Sequence, residues 1–316
     1  MAPNPIPVIG EDAVLAAVGP TLAIERTRLA FEALAGGEWT MPPKVYVDSP
    51  PGDFRAMPAR GDGLAIVKWV TSYPHNPERG LPVVTGVLAV SDAETGENRA
   101  IVDCRAVTWL RTGAAAAVSA QALAAAGASS VGLIGCGVNG AWAGRCLAAA
   151  GYGPGVCCDP RPEAAQALAG ELGWDTGARE EAVNQDIVIS CTPGDDPVVF
   201  ASDLRSGQHL AALGADRHGK AEVERRALRH CTLFCDEWAQ ASTGGELAGA
   251  AGAGAVRRED VTEIGSVLTG AARGRTSTEE ITLFDSTGLA VQDLGIVGAV
   301  LEAWREGRIE AQEVLL

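Results

Sequence analysis

Val131-Gly132-Leu133-Ile134-Gly135-Cys136-Gly137-Val138-Asn139-Gly140 is the stretch whose reading decides the fold. A short apolar strand runs straight into Gly-x-Gly-x-x-Gly, and a helical run, Ala141 to Ala150, follows it. Each glycine answers a separate steric need. Gly135 permits a tight turn, Gly137 lets the backbone approach a pyrophosphate, and Gly140 lets helix and strand pack closely. The helix start, with Val138 and Asn139 in it, then offers free amides to the phosphates. A glycine pattern alone is weak, and a chance turn with a helix-capping aspartate is the bland alternative. Here strand and helix flank it on both sides. Asp159 also ends the next strand-like run, 19 positions after Gly140, where an acid binds the adenosine ribose hydroxyls. The expected ligand is a dinucleotide. Asp159 favours NAD, because a carboxylate repels a 2′-phosphate. Arg161, two residues on, is able to pair with that phosphate and keeps NADP as the alternative.

Moving outward, strand-like and helical runs alternate from Thr108 onward. Val156–Asp159, Asp186–Thr192, His209–Gly214, Cys231–Asp236 and Ile281–Phe284 read as strands, and Glu163–Leu172 reads as a helix. Such alternation predicts βαβ units and a parallel sheet. Before Thr108 the texture differs. Residues 12–36 read as helical. Then Lys44–Val47, Leu64–Val70 and Val83–Val90 read as short strands between turn signals, which predicts an antiparallel or mixed sheet with a helix. A final helix, from about Leu289 to Arg305, is able to return to that first block. The expected fold is α/β: a Rossmann-type, doubly wound parallel sheet in 113–289, plus a second, α+β domain formed by 1–112 with 290–316.

Composition narrows the function. At 316 residues the chain suits two domains. A net charge of −15 disfavours nucleic acid, and it requires that an anionic cofactor be held by local helix-end amides. The eight cysteines lie mostly in apolar runs, and none forms a Cys-x-x-Cys pair. They read as buried reduced thiols in a cytoplasmic protein without a metal site. The longest apolar stretch, Ala114 to Ala126, is too short and weakly apolar to span a bilayer.

Further motifs stand in order along the chain: Phe54-Arg55-Ala56-Met57-Pro58-Ala59, Val67-Lys68-Trp69-Val70, Pro74-His75-Asn76-Pro77, and Leu110-Arg111-Thr112-Gly113-Ala114-Ala115. Gly214 to Glu222, Phe284-Asp285-Ser286-Thr287-Gly288 and Gln292-Asp293 complete the series. From about Lys44 to Asp293 the sequence resembles the ornithine cyclodeaminase/mu-crystallin family. That resemblance implies a homodimer, with the first domain building both substrate pocket and subunit interface, and NAD(H) or NADP(H) between the domains.

It also implies roles. Lys68 matches the family's active-site lysine; by itself, a lysine inside Leu64–Val70 reads as an outward-facing strand residue. In a pocket, desolvation and neighbouring cations would lower its pKa. Arg111 matches an arginine that grips a carboxylate. Read locally it stands near a helix start, an unfavourable place for a cation. Asp216 matches the acid–base aspartate, although a loop aspartate capping the next helix is as good a local reading. Thr112 would face the cofactor, and Thr192, Gly214 and Ser286 complete the cofactor set. Lys44 and Arg55 join Arg111 as carboxylate ligands. Cyclodeaminases tend to carry an arginine where Lys44 stands and a glutamate where Arg55 stands. The set here looks more like archaeal-type alanine dehydrogenase. The expected activity is an NAD(H)-dependent amino-acid dehydrogenase or imine (ketimine) reductase acting on a small amino acid or 2-oxo acid. Within the same family, the alternatives are an ammonia-releasing ornithine or lysine cyclodeaminase and a crystallin-like binding protein.

Overall fold

The computed structural model describes residues 5–194, 196–215 and 219–315. The chain divides into two compact units, Met1–Arg111 with Leu289–Leu316, and Thr112–Gly288.

The first unit is built on a mixed seven-stranded sheet. Its strands are β1 (Ile6–Ile9), β2 (Val45–Ser49), β3 (Gly52–Gly61), β4 (Leu64–Ser72), β5 (Val84–Asp92), β6 (Asn98–Asp103) and a C-terminal strand, Gln312–Val314. The C-terminal strand sits at one edge beside β1, followed by β6, β5, β4, β3 and β2. The β2-to-β6 run is an antiparallel meander, and β1 joins β6 in parallel. Helices Pro20–Ala35 and Ala290–Arg305 pack together, and the second of them packs on β3 and β4. The expected single helix over 12–36 is two helices, Glu11–Ala17 and Pro20–Ala35. Pro20 explains the break: it has no amide hydrogen to continue a helix but suits the first turn of a new one. β3 is hidden in the sequence pattern, because Pro58 sits inside it and proline is a poor sign of a central strand.

The core row of this sheet runs across the strands. Met57, Lys68 and Leu88 are cross-strand partners, and all three are buried. Lys68 therefore stands in the apolar inner layer, while its neighbours Val67 and Trp69 are 39 and 41% exposed. Alternation along a strand fixes this: once one residue faces the core, its neighbours face out.

The second unit is an all-parallel sheet of eight strands, β7 (Val131–Ile134), β8 (Gly155–Cys158), β9 (Asp175–Thr176), β10 (Ile187–Ser190), β11 (His209–Ala212), β12 (Thr232–Cys235), β13 (Val261–Glu263) and β14 (Thr282–Asp285). The spatial order is β13-β12-β14-β11-β10-β7-β8-β9. The chain winds outward through β8 and β9 on one side of β7 and through β10 and β11 on the other. β7 is thus the switch point, at whose carboxyl end an open α/β sheet binds ligands. Helix Cys104–Leu123 links the units in sequence, and its Ala114–Val118 segment is fully buried. No helix among the described residues is long and apolar enough to cross a membrane.

Candidate active site

In the second unit, β7 ends in the glycine turn and helix Val138–Ala149 begins at once. Gly135 has φ +97°, and a Cβ there would strike the Cys191 carbonyl. At Gly140 a Cβ would collide with the carbonyl of Gly135. Both positions admit glycine alone, for the conformational and packing reasons the motif predicts. Above Gly137 the space is open, and the nearest atom to a Cβ there would be Arg161 Nη2, 3.8 Å away.

Asp159 follows β8 and is tied back to this turn. Its Oδ2 accepts from the Cys136 amide at 2.7 Å, and its Oδ1 accepts from the Arg161 amide at 2.9 Å and Nε at 3.0 Å. Burial pushes the Asp159 pKa up, but these bonds and the Arg161 charge outweigh it and hold the carboxylate below its ordinary value. Arg161, the rival determinant of cofactor choice, is thus bound to the acid that opposes it.

Three of the expected cofactor residues, Thr112, Asn139 and Ser286, each carry a buried side-chain oxygen with no hydrogen-bond partner among the described residues. Orphaned buried polar atoms are costly unless a ligand or water satisfies them. With the open space over Gly137, they make the second unit fit a dinucleotide. Thr192 and Gly214 are placed differently. The amide and hydroxyl of Thr192 and the amide of Gly214 all donate to Glu222. Glu222 fastens the ends of β10 and β11 together from within the motif quoted for the resemblance. Behind it Glu246 accepts from the Glu222 and Val223 amides, and burial lifts its pKa to about 7.

In the first unit, Lys68 is 1% exposed and donates from Nζ to Thr108 Oγ1 at 2.7 Å and to Asp293 Oδ1 at 2.9 Å. Arg111 Nε lies 3.5 Å from the same Asp293 oxygen. Burial is the largest influence on Lys68 and lowers its pKa; Asp293 opposes this, Arg111 reinforces it, and the net shift is downward. The outward-facing reading of Lys68 fails. Arg111 is not near a helix start either. The helix begins at Cys104, where Asp103 accepts from the Arg105 and Ala106 amides. Arg111 therefore lies two turns in, and its dipole disadvantage disappears.

Arg55 is buried on the same sheet face as Lys68, opposite Val70. It donates to both Asp53 oxygens, at 2.6 and 3.0 Å, and lies over the Tyr46 ring. Lys44 is half-buried just before β2. Asp216 lies outside the described residues.

Thr108 and Asp53 went unread in the sequence, and Asp293, although it stands in the Gln292-Asp293 motif, was given no role there. Asp293 left a signal, since an acid interrupts the apolar helix Ala290–Arg305. Thr108 left none, because a threonine in a helix is ordinary.

A parallel sheet with a glycine turn at its switch point, joined to a unit that buries a lysine–aspartate–arginine cluster, defines a dinucleotide-dependent enzyme class. The ornithine cyclodeaminase/mu-crystallin family model matches residues 14–308, and the chain belongs to that family. It is 37% identical over 302 residues to alanine dehydrogenase of Archaeoglobus fulgidus, covering 93% of this chain and 94% of that one. It is 34% identical over 250 residues to iminosuccinate reductase of Paracoccus denitrificans, covering 77% of each. Among solved structures, an archaeal alanine dehydrogenase dimer with bound NAD matches with a TM-score of 0.94 at 36% identity, over 98% of this chain and 99% of that one.

Proposed function

We propose that this protein is an NAD(H)-dependent oxidoreductase that interconverts a small amino acid with its 2-oxo acid and ammonia, or with the corresponding imine. One observation carries the reading: Lys68, Asp293 and Arg111 form a buried ionised cluster in a chain that has the glycine turn for a dinucleotide. Burying such charges is costly. A protein that only bound a ligand would gain more from an apolar wall.

When bound, the dinucleotide would supply hydride as NADH or accept it as NAD+. The protein's own groups do the rest. Arg111, with Lys44 and Arg55, holds the substrate carboxylate and orients the α-carbon. Lys68 hands a proton to the reacting centre or takes one from it, with Asp216 as the second proton-carrying group. Gly135, Gly137, Val138, Asn139 and Gly140 hold the pyrophosphate at the helix start, and Asp159 faces the adenosine ribose. Thr112, Thr192, Gly214 and Ser286 complete the cofactor's surroundings. A panel of 2-oxo acids with ammonia, cyclic imines and L-ornithine, each with both cofactors, tests the activity. Ammonia release from ornithine with no net NADH would overturn it in favour of a cyclodeaminase.

NADH is expected to bind at least tenfold more tightly than NADPH, since Asp159 meets any 2′-phosphate with a like charge. Fluorescence titration measures both affinities. Asp159→Ser releases Arg161 and is expected to close most of the gap; tighter NADPH binding by the natural protein would assign cofactor choice to Arg161.

The same reading includes a homodimer in the cytoplasm, built through the outer face of the first sheet. Val45, Ala56, Trp69 and Val87 are successive cross-strand partners there, and the three large ones are 41 to 57% exposed. Phe54 stacks on Trp69 with ring centroids 5.5 Å apart. A contiguous exposed apolar row of this kind marks an interface. Trp69→Asp is expected to shift the sedimenting species from dimer to monomer, and a natural protein that sediments as a monomer at micromolar concentration would sink the assignment.

A further inference from the structure

We propose that Asp293 is the positioning residue of the Lys68 centre: its carboxylate orients the lysine and keeps it protonated in the working pH range. The proposal rests on the reading of Lys68 as the group that carries the proton.

The geometry leaves the lysine little freedom. An ammonium has three N–H donors. One goes to Thr108 Oγ1 and one to Asp293 Oδ1. The Thr108 hydroxyl donates to the Cys104 carbonyl at 2.6 Å, so its oxygen faces Lys68 as an acceptor. The third N–H is left for a substrate. Asp293 Oδ1 also attracts Arg111, so a single carboxylate sets the distance between the proton-carrying lysine and the carboxylate-gripping arginine. Asp293 lies in the first turn of helix Ala290–Arg305, where the helix dipole favours an anion.

Among the described residues, the charged and titratable groups facing Lys68 from the surrounding elements are few. Asp293 comes from helix Ala290–Arg305, and Arg111 and Cys104 come from helix Cys104–Leu123. Arg55, on β3, shares the sheet face. Burial and the cations favour a neutral amine, and Asp293 is the nearest carboxylate working against them. Its removal must therefore release the Lys68 proton at lower pH.

The chain contains only three lysines, Lys44, Lys68 and Lys220. Protein labelled with 13C at lysine Cε thus gives a spectrum simple enough to titrate residue by residue, with Lys68→Arg identifying the signal. Asp293→Asn keeps the shape of the side chain and removes its charge. It is expected to lower the Lys68 midpoint by about one pH unit or more. The alkaline limb of kcat/KM in the reductive direction should move with it. At pH values above the limb, activity should fall about tenfold for each pH unit the limb moves. KM for NADH should not change. Asp293→Glu should restore the midpoint. A purely structural role would lower activity without moving either the resonance or the limb, and an unmoved midpoint in Asp293→Asn overturns the proposal.

If the asparagine variant does not fold, Asp293→Glu carries the test. It keeps the charge but lengthens the arm, so the midpoint should hold within about half a pH unit while kcat falls at constant KM for NADH. Unchanged kcat in that variant also overturns the proposal. The titration needs no substrate. A wrong activity assignment would appear as absent turnover in the natural protein, with the Lys68 response to Asp293→Asn intact.

Discussion

Lys68→Ala is expected to lower kcat/KM by about a thousandfold, within the range that loss of a positioned proton-transfer group produces. NADH affinity should stay within twofold, because the glycine turn and Asp159 belong to the other unit. The substitution also deprives Asp293 of its nearest cation. Removing one partner of a buried pair typically costs about 3–5 kcal/mol, but Arg111 remains within 3.5 Å and should offset part of that. Thermal melting and NADH titration on the same preparation separate lost chemistry from lost fold. Lys68→Arg provides a second arm. It keeps the charge against Asp293, so it should fold, but arginine does not give up its proton and activity should still be lost. Near-normal turnover in either folded variant would remove Lys68 from the mechanism.

The second large effect concerns substrate charge. A small monoamino monocarboxylate, or its oxo or imine form, is expected to exceed ornithine by about a hundredfold or more in kcat/KM. On sequence alone, Lys44, Arg55, Lys68 and Arg111 stand as four cations with Asp216 the only assigned acid. The structure changes that count. Asp293 is shared by Lys68 and Arg111, and Asp53 is bound to Arg55. With Lys44 the assigned set holds four cations, and Asp53, Asp293 and Asp216 are its three acids, which leaves one net positive charge, suited to one substrate carboxylate. Among the described residues, a distal ammonium would then find no uncommitted acid in this cluster. An unpaired charge in a partly dry site costs several kcal/mol, against about 0.8 kcal/mol gained per added methylene. At about 1.4 kcal/mol per factor of ten, the charge dominates. A diacid fares less badly but finds no surplus cation beyond the one that its first carboxylate meets. The comparison is pyruvate plus ammonia against oxaloacetate plus ammonia and against ornithine. Efficient conversion of ornithine to proline with ammonia release would restore the cyclodeaminase reading.

The cofactor half of the protein was legible in the linear sequence, because its requirements are local. Gly135, Gly137 and Gly140 are spaced by the geometry of one turn, and Asp159 follows at the distance set by one helix and one strand. The alternation of apolar runs from Val131 onward announced the parallel sheet, and its six expected strands lie within a residue or two of their places, while the short edge strands β9 and β13 were not foreseen. The first sheet was harder. Pro58 hid β3, and Pro20 divided one expected helix into two.

The substrate half was legible only through resemblance, and then incompletely. Lys68 is read as outward or inward according to which face of β4 meets the helices, and alternation alone leaves that open. The register Met57–Lys68–Leu88 decides it. Asp293 lies 225 residues from Lys68 in the chain, and no periodicity links positions so far apart. By itself, then, the sequence determined a dinucleotide-binding sheet, its turn and its acid, since those are contacts between near neighbours along the chain. Only the tertiary structure decided that Lys68 is buried, that Asp293 is its partner and that Asp53 occupies Arg55, because each pairing is made by burial and packing of segments the chain brings together only when folded.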